Sequence, residues 1–233
     1  MKKRIGLIGY GNYGRFVLSR LSGFCPVTVH DPAAGRDDLA GAVSADIVLL
    51  AVPVSSLRAF IRKAKPLLKP GSLVVDLSSV KVKPLRMLTR GLRHPVAGVH
   101  TLFGPESAKA GVKGLTAVLC RGSAPRSDCL RLRRFLEKKL GLTVVEMTAE
   151  EHDRQMAWVQ GLSHFVGKAF QNLKAPSLPF RTLSFEKLLD MNHLLRRTTW
   201  PLFETIEKEN PYAAGVRRKF LGELRRLDGR LRT

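Results

Sequence analysis

Hydrophobic positions follow two rhythms along this chain of 233 residues, and the change between them comes near residue 148. Over residues 1–148, short apolar runs alternate with segments of helical spacing. Arg4–Gly9 reads as a strand ending in a glycine loop, and Tyr13–Leu21 as the helix after it. Val27–His30 reads as a short strand closed by Asp31-Pro32. Ile47–Val52 is a continuous apolar run, as expected of a strand buried on both faces. Ser56–Leu68 has helical spacing and stops at Lys69-Pro70-Gly71. Leu73–Leu77, Gly98–His100, Ala117–Leu119 and Thr143–Met147 read as further strands. Ser127–Leu140 reads as a basic amphipathic helix stopped by Gly141. Such alternation predicts an α/β unit over 1–148, with a doubly wound, mostly parallel sheet.

From residue 149 the strand signals cease. Thr148-Ala-Glu-Glu151 has the form of a capping box, and the helical pattern after it runs to about Leu173. A Lys174–Pro179 loop follows, then helices over Phe185–Arg197, Pro201–Lys208 and Pro211–Leu231. A small all-α domain over 149–233 is therefore predicted. About 85 residues are few for an independent core, so pairing with a second copy, as a homodimer, is expected.

Gly9-Tyr10-Gly11-Asn12-Tyr13-Gly14 is a G-x-G-x-x-G directly between a strand and a helix, the context that makes this pattern a dinucleotide fingerprint. It marks the first domain as Rossmann-type and Gly9–Gly14 as cofactor-binding. Gly9 permits the turn, Gly11 lets backbone approach a pyrophosphate, and Gly14 lets helix and strand pack closely. Asp31 ends the second strand, where a carboxylate accepts hydrogen bonds from ribose hydroxyls and repels a 2′-phosphate. That favours NAD over NADP, with Arg36 nearby as the residue that could serve a 2′-phosphate. Val52 and Pro53 leave the Ile47–Val52 strand where a cofactor would lie. Ser79 and Lys81, in Asp76-Leu-Ser-Ser-Val-Lys81, and His100, in Gly98-Val-His100-Thr, are placed at the same sheet edge. A titratable base near neutral pH is what hydride chemistry needs there. His152 and His164 stand 12 positions apart on one predicted helix and share roughly one face.

Together these pieces resemble the prephenate/arogenate dehydrogenase family of tyrosine biosynthesis, over roughly Lys3–Gly167 and again near Glu209-Asn210-Pro211. The family's D-x-x-S-x-K element is matched by Asp76, Ser79 and Lys81. His100-Thr101-Leu102-Phe103-Gly104-Pro105 matches its H-P-x-x-G-x element, with Thr101 in place of the proline. Its E-x-H-D…Q-x-x-x-H helix is matched by Glu150, His152, Asp153, Gln160 and His164. The resemblance implies NAD-dependent oxidative decarboxylation of prephenate to 4-hydroxyphenylpyruvate, with arogenate as the alternative substrate. It implies that His100 takes the ring hydroxyl proton and that Ser79 orients His100 and contacts the nicotinamide. Lys81 and His164 would line the substrate pocket. The family's carboxylate-holding arginine falls on Leu194 in the register anchored at Asp190-Met191. Arg196 and Arg197 are the nearby cations expected to replace it.

Charge and composition change this picture little. There are 40 Lys and Arg against 19 Asp and Glu, a net charge of +21, concentrated partly in Arg217–Arg232. Such a surface binds nucleic acid non-specifically. It also keeps open an inactive dinucleotide-sensing or nucleic-acid-binding protein on the same scaffold. A reductase of small imines or 3-hydroxy acids would share the fingerprint but leave Asp76–Lys81 and His100 unexplained. No apolar run is long enough to span a membrane. Three cysteines, Cys25, Cys120 and Cys129, lack metal or disulfide spacing, so no metal is expected. They fit reduced thiols in a cytoplasmic protein.

Overall fold

The computed structural model describes residues 3–174, 176 and 178–232. Met1 and Lys2, Ala175 and Ser177 of the expected loop, and Thr233 lie outside these. The chain divides into two compact units, Met1–His152 and Asp153–Thr233.

The first unit is built on seven strands: β1 (Ile5–Ile8), β2 (Val27–His30), β3 (Ile47–Leu50), β4 (Leu73–Asp76), β5 (Val96–Thr101), β6 (Thr116–Arg121) and β7 (Thr143–Met147). Their order in the sheet is β2-β1-β3-β4-β5-β6-β7. Every neighbouring pair is parallel except β5 with β6. That reversal has a local cause. A parallel return needs a crossover, usually a helix. No helix forms between Thr101 and Thr116, so β6 comes back beside β5 in the opposite sense.

Alternate strand residues feed two cores. On one face, Val48, Leu50, Val74, Val96 and Val118 pack beneath α2 (Leu39–Val43), α3 (Leu57–Ala64) and α4 (Val82–Gly91). On the other, Leu7, Leu49, Val75, Val99 and Leu119 pack with α1 (Asn12–Leu21) and α5 (Arg126–Leu140). Helices on both faces bury the inner strands, which is why they read as continuous apolar runs.

Two helices have no counterpart among the sequence expectations. The five-residue α2, Leu-Ala-Gly-Ala-Val, is too short and too uniformly small to show a period. It lies so close to β1 that a Cβ on Gly6 would stand 1.8 Å from the Ala42 carbonyl oxygen. In α4, Pro84 sits in the first turn, where its missing N–H costs nothing, but it reads as a breaker in the sequence. The expected Ser56–Leu68 helix is shorter, ending at Ala64. Pro66 accounts for this: Lys65 is still helical and bonds the Ile61 carbonyl, but Pro66 has no N–H to continue the ladder.

At the start of α6 (Ala149–Met156), the capping box forms as expected. The Glu151 N–H donates to Thr148 Oγ1 at 3.1 Å, and the Thr148 N–H donates to Glu151 Oε2 at 2.8 Å. The second unit continues through a π-helical stretch, Ala157–Leu162, into α7 (Ser163–Leu173). It is completed by α8 (Leu183–Leu195), α9 (Trp200–Glu204), a second π-helical stretch (Thr205–Glu209) and α10 (Ala213–Leu231). The π insertion breaks the single helix expected to Leu173. Just before it, the Asp153 carbonyl accepts a hydrogen bond from the buried Asn210 side chain at 2.8 Å. A side chain inserted into a helix ladder is a recognised cause of such an irregularity. Among the described residues no helix is long and apolar enough to cross a membrane.

Gly6→Ala is expected to destabilise the first unit by about 2–3 kcal/mol, because the new methyl meets rigid backbone rather than a side chain that can swing away. Urea unfolding checks this; a loss under 0.5 kcal/mol would show that α2 is free to lift from β1.

Candidate active site

From β1 the chain steps outward to β2 and then returns past β1 to β3. Where the winding direction switches, the loops at the carboxyl edge part and leave a crevice. A cavity of about 340 Å³ lies there, lined by Gly9 after β1, His30 and Asp31 at the end of β2, and Val52 and Pro53 after β3. Gly9 has φ +97°, a conformation open to glycine, and a Cβ on Gly14 would fall 2.1 Å from the Gly9 carbonyl oxygen. At Gly11 a Cβ would meet nothing within 4 Å. The first turn of α1 has no side-chain cap, so its orphan N–H groups remain open to an anion. Open space at Gly11 beside uncapped amides fits a dinucleotide pyrophosphate.

Asp31 ties this loop together. Its Oδ2 accepts the Tyr10 N–H at 2.6 Å and its Oδ1 accepts the Ala33 N–H at 3.1 Å. The Arg36 guanidinium stacks 4.4 Å from the Tyr10 ring centre, with Arg15 5.3 Å from it. Asn12 is exposed at the start of α1. Tyr13 turns its side chain inward. Its hydroxyl bonds Thr101 Oγ1 at 2.8 Å and its ring joins the α1-side core, with burial pushing its pKa up to about 12. Its side chain is thus engaged in packing, because position 13 falls on the inward face of α1. Thr101, the residue in the proline position, is the anchor for that contact and also donates to the Phe103 carbonyl at 2.8 Å.

A second cluster stands at the same edge, across β4 and β5. His100, 5% exposed, places Nδ1 2.9 Å from Nε2 of the fully buried His152 at the start of α6. The two rings are tilted 69° to each other with centres 5.1 Å apart. Beside them, the Lys81 ammonium is fully buried and pairs with the Asp76 carboxylate. It also donates to the Ser78 carbonyl at 2.6 Å. Gly98 makes room for its stem, since a Cβ there would stand 2.7 Å from Lys81 Cδ. Burial holds the His100 pKa well below 6.5, with the neighbouring His152 and Lys81 adding to the effect.

Residues 28–124 match the family model for the prephenate dehydrogenase nucleotide-binding domain. The chain is 33% identical to the T-protein of Haemophilus influenzae over 67% of its own length and 41% of that protein's. The chain is similar to members of the prephenate/arogenate dehydrogenase family. It is 28% identical to chloroplastic arogenate dehydrogenase 2 of Arabidopsis thaliana, covering 97% of this chain and 67% of that one. The chain thus spans between two fifths and two thirds of these two relatives. Its fold is similar to that of a prephenate dehydrogenase from A. aeolicus, solved with hydroxyphenyl propionate and NAD+, at 22% identity and a TM-score of 0.74, over 99% of this chain and 92% of that one.

Two family-motif residues take other places than expected. Lys81 was expected in a substrate pocket, but its charge is spent inside the protein on Asp76 and backbone carbonyls. Ser79 is half-buried in the same loop, and the group bonded to His100 is His152 instead. His152 was legible as a residue of the E-x-H-D element sharing a helix face with His164, but its partner comes from a strand 52 residues earlier, which no local pattern reveals. In the second unit, the half-buried His164 in α7 meets Thr198 Oγ1 through Nδ1 at 3.4 Å. Arg196 and Arg197 are exposed in the turn just before Thr198. Leu194, in the expected arginine register, is 64% exposed. Burial lowers the His164 pKa to about 4, and Lys168 contributes.

Because His100 and His164 stay neutral in the fold while the unfolded chain protonates near pH 6.5, stability should fall as pH drops from about 6.5 towards 4. Glu207, whose pKa burial raises, acts in the opposite sense. The share of His164 is at most about 3 kcal/mol. Urea midpoints measured across that range for wild type and His164→Gln isolate it. Parallel slopes for the two proteins would refute the assignment.

Proposed function

We propose that this chain carries out the NAD-dependent oxidative decarboxylation of prephenate. The observation that carries the reading is a buried, neutral histidine on the same carboxyl edge as the open glycine cradle. Gly9, Gly11, Asn12 and the first turn of α1 would hold the pyrophosphate. Asp31 would receive the adenosine ribose hydroxyls, while Val52 and Pro53 flank the cofactor. NAD bound there supplies the hydride acceptor.

His100 then has one task. As the ring carbon bearing the hydroxyl gives up hydride, His100 takes the hydroxyl proton through its free ring nitrogen. The ring carboxylate leaves as carbon dioxide, the electron pair of the broken C–C bond completes the aromatic ring, and the phenolate oxygen so formed takes the proton back from His100. A depressed pKa keeps that nitrogen unprotonated and able to accept at neutral pH. Lys81 and Asp76 hold the β4–α4 loop against β5, and Ser79 is carried on that loop. His164 with Arg196 and Arg197 supplies candidate groups for the substrate's side-chain carboxylate.

The test is turnover of the purified chain with prephenate or arogenate and NAD or NADP, read at the reduced-nicotinamide absorbance. Prephenate with NAD is the expected pair, and His100→Asn should lower kcat by about 10²–10⁴-fold. Turnover with arogenate alone would reassign the side-chain pocket, and a preference for NADP would overturn the role of Asp31. No turnover with any pair would overturn the enzyme reading.

We also infer self-association through the helical unit, which exposes Leu183 at 72%, Leu194 at 64% and Trp200 at 58%. Apolar surface of this kind marks an interaction face. Sedimentation at micromolar concentration should give twice the chain mass; a monomer would refute this.

A further inference from the structure

We propose that His152 is a positioning residue that decides which nitrogen of His100 carries the ring proton. The inference rests on His100 being the proton acceptor of the reading above. Between His100 Nδ1 and His152 Nε2, at 2.9 Å, there is room for one hydrogen. Its owner sets the chemistry of both rings. A neutral imidazole has one N–H and one lone pair. If His152 Nε2 owns the proton, His100 Nδ1 is an acceptor, its Nε2 carries the ring hydrogen, and that nitrogen can only donate. If His100 Nδ1 owns it, His100 Nε2 keeps a lone pair and can take a proton from a substrate hydroxyl. Only the second arrangement gives a base, and it requires His152 to be neutral with its hydrogen on Nδ1.

Several features favour a neutral pair. Both rings are buried, His100 at 5% exposure and His152 at 0%. The charged and titratable groups acting on His100 are His152 itself, from α6, and the Lys81 ammonium, from the loop after β4. Lys81 is paired with Asp76 of β4. An added positive charge on either ring would be placed beside that ammonium in a dry site. In other enzymes a carboxylate commonly orients a catalytic histidine. Here the orienting group is a second imidazole, and it accepts the Nδ1 hydrogen without bringing a negative charge that would raise the His100 pKa. The arrangement therefore fixes the tautomer and keeps the base neutral at once.

The experiment has two arms. Nitrogen-15 NMR of the labelled full-length chain, without cofactor or substrate, reads the tautomer directly, with His100→Asn assigning the signals. Expected are a protonated Nδ1 and an unprotonated Nε2 on His100. An Nε2–H tautomer on His100 overturns the proposal. The second arm is kinetic. His152→Phe keeps ring volume but cannot accept a hydrogen bond, and kcat should fall about 10–100-fold with KM changed less than about twofold. His152→Gln, whose carbonyl can accept the Nδ1 hydrogen, should recover most of that loss. Unchanged kcat and an unchanged pH profile in His152→Phe overturn the proposal. Should the Phe variant fail to fold, the wild-type tautomer and the Gln variant still decide it. A wild-type chain that turns over neither substrate sinks the functional reading, whereas the tautomer assignment stands or falls on the NMR alone.

Discussion

The carboxyl edge of the sheet is organised around a buried ion pair between Asp76, the last residue of β4, and Lys81, five residues later. Both side chains are essentially inaccessible, at 1% and 0%. Moving two charges out of water costs several kcal/mol each, and their attraction offsets this only with good geometry and further hydrogen bonds. Those bonds are present: Ser78 Oγ donates to Asp76 at 2.9 Å, and the Ser78 carbonyl accepts from the ammonium at 2.6 Å. Taking away one partner would leave a buried charge uncompensated, a loss of about 3–5 kcal/mol. The pair pins the loop between β4 and α4 and fixes where Ser79 lies.

The same pair shapes the chemistry next to it. Gly98 leaves the space on β5 that the lysine stem occupies, and His100 projects from the same face of that strand two residues on. Desolvation keeps the His100 imidazole neutral, with His152 and then this buried ammonium adding to the effect. One structural device thus closes the loop, fills the gap over a glycine and adds to the burial that keeps the nearby ring neutral. The large net charge of +21 plays no such part. Most of the late arginines, such as Arg218, Arg225, Arg226 and Arg230, lie exposed along α10, where solvent and salt screen them.

Much of this could be read from order along the chain. Apolar runs separated by helical segments determined the doubly wound sheet, because inner strands covered on both faces must be apolar throughout. The glycine spacing after β1, with an acid ending β2, determined the dinucleotide crevice, because that turn and that close approach exclude larger side chains. The Thr148–Glu151 capping box was equally legible, since both of its hydrogen bonds join residues three apart.

What the sequence could not determine depends on partners distant along the chain. The antiparallel turn of β6 follows from the absence of a crossover helix. The Asp153 carbonyl meets Asn210, 57 residues on. Tyr13, on the inward face of α1, meets Thr101, 88 residues away. His100 is oriented by His152 and shielded beside Lys81, three residues brought together from β5, α6 and the β4–α4 loop. Local spacing encodes a backbone shape, because its interactions lie within a turn or a strand. The ionisation and orientation of a side chain depend on what surrounds it in three dimensions, and only the packed sheet decides that.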